Sequence, residues 1–173
     1  VYVENRIDMN TSAFITGDGS TGISAANVSA KASDVSLISA FAGAASISAG
    51  LAGTAGVSIS VGAAIARNDI GNQTQAYIIN ADQGVNATTG DITIQAIENA
   101  KIQVFTAAAS LAVGIGGTAG VAVSGAGADA ANFIYTVTKA YAQTSVLSAF
   151  DDVIIDAQNA AAINSGVIAA SVG

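Results

Sequence analysis

The segment Gly53-Thr54-Ala55-Gly56-Val57 recurs unchanged as Gly117-Thr118-Ala119-Gly120-Val121, at an offset of 64 positions along the chain. Matches on both sides of it have the same spacing: Phe41 with Phe105, Ala44-Ala45-Ser46 with Ala108-Ala109-Ser110, Asn68 with Asn132, Ile70 with Ile134, Thr74 with Thr138, and Ala76-Tyr77 with Ala140-Tyr141. Identities at one fixed offset are the signature of a chain built from stacked units. The sequence therefore predicts tandem repeats of about 64 residues.

Both ends of the sequence fit the same scheme. Five residues near the start lie 63 positions before their counterparts in the next unit: Asn5, Ile7, Thr11, Ala13 and Phe14. Residues 152–157 resemble residues 91–96. We therefore predict that 1–16 is the tail of a preceding repeat, 17–81 and 82–149 are full repeats, and 150–173 begins another. On this interpretation both ends are cuts through one longer, continuous solenoid.

The periodicity within a unit is that of β-strands. Val57, Ile59 and Val61 alternate with small or polar residues, and the same period of two runs from Ile92 to Val104. Turn-forming residues separate such runs at 17–20, 68–72, 82–84, 88–90 and 151–152. The predicted fold is all-β, an elongated parallel β-solenoid (β-helix). Two arrangements of one unit remain open, about three coils of roughly 20 residues each or a long antiparallel meander.

Each unit contains a long zone without charge. One zone, 35–66, lies between Asp34 and Arg67, and the other, 102–128, lies between Lys101 and Asp129. Strands with small or apolar residues on both faces are expected to be buried on both sides, or to pack one face against another sheet or another copy. A pair of transmembrane helices is the rival interpretation. The abundance of Gly, Ala and Ser and the period of two favour strands, so no membrane span is predicted.

Composition excludes several classes of function. Hydrophobic residues make up 51% of the 173 residues and charged residues only 10%, and the chain has no His and no Cys. The lack of His excludes Ser-His-Asp and Cys-His catalysis and His-ligated metals, and the lack of Cys excludes thiolate sites. A net charge of −7 with five scattered basic residues disfavours nucleic acid as a partner. We predict no catalytic, cofactor-binding or metal-binding residues and hence no enzyme.

Calcium is the one metal that the sequence leaves open, because Asp and backbone carbonyls are its usual ligands. The candidates are Gly17-Asp18-Gly19-Ser20 and Asp151-Asp152. The calcium-binding nonapeptide of β-rolls is missing, so plain turns are the favoured interpretation. Most acidic residues are likewise expected to flank turns.

Two columns of equivalent residues have both a structural and a binding interpretation. The aromatic column comprises Phe14, Tyr77 and Tyr141, and it is either a packing stripe or a platform for a sugar. The asparagine column comprises Asn5, Asn68 and Asn132, and it is expected to form turns or a ladder of side-chain amides. Gly-rich stretches such as 114–117 are expected to allow close approach of two sheets.

Three motifs together resemble a known class of repeats. They are Gly90-Asp91-Ile92-Thr93-Ile94-Gln95-Ala96, the segment from Gly116 to Val123, and a tail formed by Asn132, Ile134, Thr138, Ala140 and Tyr141. They resemble the repeats of very large secreted bacterial proteins of the filamentous-adhesin and leukotoxin type. The resemblance covers essentially the whole sequence. It implies a β-solenoid filament at the bacterial cell surface and carries no catalytic residues.

The predicted function is a structural repeat segment of a secreted or cell-surface filament or adhesin. It would supply length, stiffness and self-association, with other copies of itself as partners in a fibre or in lateral or trimeric assembly. The alternative is an adhesive module that binds a host surface or a cell-surface or matrix polysaccharide. A polysaccharide-active β-helix enzyme ranks third, because such a site needs acids clustered with basic residues.

Overall fold

The structure, a computed structural model, describes all residues from Val1 to Gly173 and contains thirteen β-strands and no helix. The strands are β1 Tyr2–Ile7, β2 Asn10–Thr16, β3 Ile23–Ala25, β4 Val28–Ala52, β5 Ala55–Ile70, β6 Gln73–Ile79, β7 Val85–Ala87, β8 Ile92–Gly116, β9 Ala119–Ile134, β10 Val137–Gln143, β11 Leu147–Ala149, β12 Val153–Asn159 and β13 Ala162–Val172. The alternation of β-branched with small residues produces them, because it suits a pleated strand with two different faces. The predicted all-β class is confirmed.

The strands form four sheets in which every pairing is parallel. Sheet I is β1-β5-β9, sheet II is β2-β6-β10 and sheet III is β3-β7-β11. In sheet IV the central strand β8 has β4 on one side and β12 followed by β13 on the other. The chain therefore passes through the four sheets in a constant order.

Paired residues lie 61 to 64 positions apart, as in Val28 opposite Ile92 and Val153 opposite the same Ile92. The antiparallel meander is therefore wrong, and so is the division of a unit into coils of roughly 20 residues. The physical reason is the length of β4 and β8, which each run for 25 residues without a turn-forming interruption. The residues that match in sequence are also partners in the sheets, including Phe14 with Tyr77 and Phe41 with Phe105.

Two hydrophobic cores lie between the sheets. The basal core fills the space between sheets II and III and the first part of sheet IV, with Ile78, Val85, Ile92 and Ile94 fully buried. The central core lies between sheet I and the middle of sheet IV; its members are Ile38, Ala42, Ala64, Ala66, Ile70, Ala100, Ile102, Val104 and Ala108. A polar layer separates the two cores.

Beyond the central core, sheets IV and I continue as a two-layered extension made of residues 43–63 and 107–127, which we call the blade. Its inner side chains are Gly, Ala and Ser, and the Ser46 and Ser60 hydroxyls meet across it at 2.8 Å. A Cβ on Gly50 would overlap the carbonyl oxygen of Val57 in the facing layer. The prediction that glycine permits close approach of two sheets is confirmed.

The outer surface of the blade is apolar and exposed. Ile47 and Leu51 on β4 are 79% and 75% exposed, and Ile59 on β5 is 65% exposed. Of the two expected arrangements, burial on both faces is therefore wrong, and packing of one face against another sheet is confirmed. One face of each strand packs against the facing layer, and because small residues occupy that face, the large side chains point outward.

Candidate functional site

The asparagine column forms a ladder of side-chain amides along the direction in which strands stack. Asn5 Nδ2 donates to Asn68 Oδ1, and Asn68 Nδ2 donates to Asn132 Oδ1, both at 2.8 Å. Asn68 is fully buried, so its amide requires such partners. The ladder interpretation is confirmed, and the amides bond to one another along the stack.

The aromatic column lies on the outer face of sheet II. Phe14 and Tyr77 stack with ring centroids 5.2 Å apart, and Tyr77 and Tyr141 stack at 5.1 Å. Both faces of the Tyr77 ring are therefore covered by its neighbours. A sugar that stacks on an aromatic residue needs a free ring face, which here only the outer sides of Phe14 and Tyr141 offer. The geometry favours the packing stripe.

A buried polar layer lies between the basal and central cores, and the sequence interpretation missed it. Asn72 Nδ2 donates to Asp34 Oδ1 at 2.9 Å and to Glu98 Oε1 at 3.2 Å. Ser36 donates to Asp34 Oδ1 at 2.7 Å, and Thr74 donates to Glu98 Oε2 at 2.5 Å. Asp34 and Glu98 are partners in sheet IV, so the two carboxyl groups lie in neighbouring strands.

The two acidic residues of this layer are exceptions to the expectation that most acidic residues flank turns. Asp34 and Glu98 lie within β4 and β8 and point inward, and Glu98 is fully buried. Paired carboxyl groups serve glycosidases only where a substrate reaches them. Glu98 has no such access, so hydrogen bonding inside the fold is the role that this geometry supports.

The calcium candidates take part in hydrogen bonds between corners of the chain that are neighbours in the stack. Asp18 Oδ2 accepts a hydrogen bond of 2.6 Å from the backbone N–H of Gly84. The backbone N–H of Asp152 donates to Asp91 Oδ1 at 3.0 Å. No group of three or more acidic side chains is arranged to hold a metal ion. These residues join successive passages of the chain at the corners.

The phenol of Tyr2 on β1 lies beside the carboxylate of Glu4. Its hydroxyl donates to Glu4 Oε2 at 2.8 Å, and this hydrogen bond raises the pKa of the phenol.

The structure also contains no helix that is long and apolar enough to cross a membrane.

The outer face of sheet IV is largely apolar and exposed, and the sequence interpretation did not assign particular residues to it. Phe41 and Phe105 stack on it with centroids 5.9 Å apart, and two open grooves of about 770 and 460 Å³ flank this pair. The signal was present in the sequence. From position 39 onward the large residues of β4, namely Phe41, Ile47 and Leu51, all occupy odd positions, whereas the even positions from 42 to 50 hold only Ala, Ser and Gly.

Comparisons with known proteins give no match for this chain. No protein-family model matches it, and neither a curated protein nor a solved structure shows significant similarity.

Proposed function

We propose that this chain is a structural repeat segment of a secreted or bacterial cell-surface filament or adhesin, built as an elongated parallel β-solenoid in which one repeat makes one coil. The observation that carries the proposal is the constant register of the four parallel sheets. It places like side chains above one another, as in Asn5, Asn68 and Asn132. Each passage of the chain then offers the next one a matching surface.

The mechanism is additive contact between neighbouring coils. Backbone ladders, the asparagine ladder and the aromatic column all run along the stacking direction. In repeat proteins, the free energy of unfolding is approximately the sum of the intrinsic stabilities of the repeats and of the interactions between neighbouring repeats. The segment would therefore supply stiffness and a regular surface, and other copies of the chain would be its partners.

The alternative function, adhesion to a polysaccharide, has less support from the geometry. The best candidates for binding a sugar were the residues of the aromatic column. Both faces of its central ring, Tyr77, are covered by the neighbouring rings. An enzymatic function would need an accessible constellation of polar groups. The most concentrated set of polar side chains lies inside the fold, around Asn72 and Glu98.

The test is to add one unit in register. We expect that an extra copy of residues 55–118, inserted after Thr118, joins the stack as one more coil. Mean residue circular dichroism should stay that of a β protein, and the Tm should equal or exceed that of the original chain. Limited proteolysis should leave the longer chain intact.

The control is an insertion of the same length and composition in scrambled order. It should form a protease-sensitive loop. If the in-register copy is cut out as readily as the scrambled one, the solenoid proposal fails.

A further inference from the structure

Much of the central core is the same from one repeat to the next. Ile38 lies beside Ile102 in sheet IV, and Ala66 lies beside Ala130 in sheet I. The hydrophobic effect is non-directional, so a contact between equal apolar side chains does not depend on which repeat supplies them. These columns therefore hold successive repeats together without distinguishing one repeat from another.

One position of the polar layer changes with every repeat. In sheet IV, Glu98 has Asp34 beside it on one strand and Asn159 on the other. The column that faces this position in sheet II is constant and comprises Thr11, Thr74 and Thr138. A polar group inside a fold needs a hydrogen-bond partner, because leaving it unpaired is costly. Each change at this position must therefore be met by its neighbours.

Asn72, at the corner between β5 and β6, bridges the first two members of the changing column. Its Nδ2 lies 2.9 Å from Asp34 Oδ1 and 3.2 Å from Glu98 Oε1, and it also donates to Ser36 Oγ at 2.8 Å. Its Oδ1 accepts a hydrogen bond of 3.1 Å from the backbone N–H of Met9, which can only donate, so the amide nitrogen must face the carboxyl groups. No basic side chain pairs with either carboxyl group. An amide nitrogen has two hydrogens, enough for one acceptor site in each of the two coils.

Thr136 occupies the same corner one coil later, since Gln73 and Val137, the residues that follow the two corners, are partners in sheet II. The flanking pair in sheet IV is there Glu98 and Asn159. Asn159 Nδ2 donates to Thr136 Oγ1 at 2.7 Å. A hydroxyl can accept from an amide and still has one hydrogen to donate, so threonine suits a pair made of one carboxyl group and one amide.

We propose that the polar layer is a recognition site between successive repeats, in which the corner residue matches the two sheet IV residues on either side of it. An amide at the corner fits two carboxyl groups, and a hydroxyl fits one carboxyl group and one amide. Similar repeats in one chain can misassemble as they fold, and a buried polar match disfavours the wrong neighbour. The inference rests on the proposed function, in which repeats stack as coils, and it identifies the side chains by which one repeat recognises the next.

The experiment puts the residue of one corner into the other. Asn72→Thr leaves a single hydrogen between two carboxyl groups, and we expect it to lower the equilibrium constant for folding by about tenfold or more. Glu98→Gln converts the flanking pair to one carboxyl group and one amide. In the Asn72→Thr background it should raise the equilibrium constant by about fivefold or more, whereas in the original chain it should give no gain. Urea denaturation followed by circular dichroism measures the constants of all four chains.

Asn68→Thr is the matched control. Asn68 is buried like Asn72, yet its amide bonds to Asn5 and Asn132 of the asparagine ladder and to neither carboxyl group. Glu98→Gln should therefore have the same effect in the Asn68→Thr variant as in the original chain, within about twofold.

Two outcomes would overturn the inference. They are a failure of Glu98→Gln to rescue Asn72→Thr, and an equal gain from Glu98→Gln in the original chain or in Asn68→Thr. If Asn72→Thr does not fold, the double variant decides, since its folding supports the match and its failure to fold contradicts it.

The insertion of residues 55–118 tests the stack separately. It places a copy of Asn72 between Glu98 and a copy of Glu98, and so keeps an amide between two carboxyl groups. An inserted coil that joins the stack while the rescue of Asn72→Thr fails leaves the solenoid standing and removes only the recognition between repeats.

Discussion

At the scale of single residues, the molecule consists of columns in which each residue is constrained by the ones before and after it in the stack. Gly17, Asn80 and Thr144 form one such column, at the corner that follows sheet II. Their φ angles are 73°, 56° and 48°, all in the left-handed region. Glycine and asparagine adopt this region readily, whereas a β-branched residue does so at a cost.

Thr144→Asn should therefore stabilise the protein. We expect its free energy of unfolding to rise by about 0.5–1 kcal/mol, because the left-handed conformation costs an L-residue about 1–2 kcal/mol and Asn tolerates it better. Urea denaturation followed by circular dichroism measures the change. The reciprocal substitution, Asn80→Thr, should lower the free energy of unfolding by a similar amount. A Thr144→Asn variant less stable than the original chain would show that this corner is not strained.

Two buried acidic residues were not recognised from the sequence. The sequence interpretation gave Asp34 and Glu98 no individual role, yet each lies in phase with inward-facing neighbours such as Ala32 and Ala96. The period of two along each strand is sufficient to place both side chains inside the fold. The hydrogen bonds that accommodate them come from Asn72 and Thr74, which are distant in sequence. No local pattern could identify those donors before the corner between β5 and β6 was known.

At the scale of elements, the blade depends on where glycine occurs along β4, β8 and their partners. Stacked sheets usually lie about 10 Å apart. Here Gly114 faces the backbone of Val121 so closely that a Cβ would overlap its carbonyl oxygen. Gly125 lies in the same blade but faces outward, with no atom within 4 Å of a would-be Cβ. The two glycines therefore have different roles in one element.

Gly114→Ala and Gly125→Ala form a matched pair. We expect Gly114→Ala to lower the free energy of unfolding by about 1–3 kcal/mol, because the added methyl group forces the layers apart. Gly125→Ala should leave it unchanged or raise it by up to about 1 kcal/mol, since alanine reduces the entropy of the unfolded chain. Thermal and urea unfolding provide both values. Equal effects of the two substitutions would contradict the close approach of the layers.

At the scale of the whole molecule, the sequence predicted the period, the β class and the partners in the ladders, because like residues stack on like. Phe41 opposite Phe105 was recognisable from identity alone. The path that the chain takes within one repeat was not predictable from the sequence. Whether one repeat makes a single wide passage or three narrow ones depends on whether β4 bends, and its Gly, Ala and Ser residues suit both a turn and a straight strand.

Hydrogen exchange should reveal the order of the stack. Strands β6 and β8 have neighbours on both sides, whereas β4 and β10 have one. Successive amides of a parallel strand point to alternate sides, so nearly all amides of β8 should be protected but only about half of those in β4. Mass spectrometry of peptic peptides measures this difference. Equal protection of the two strands would contradict the position of β4 at an edge.

The register, in which a whole repeat separates paired residues, also determines what kind of material such a chain can make. Each passage advances the stack by only about 4.8 Å, yet its longest strand spans about 80 Å. An α-helix made from the residues of one repeat would reach about 96 Å, roughly twenty times further. About seventeen passages, roughly a thousand residues, would be needed before the stack became as tall as it is wide. An elongated filament of this pattern would therefore need well over a thousand residues, since nearly all of each repeat contributes to the breadth of the stack.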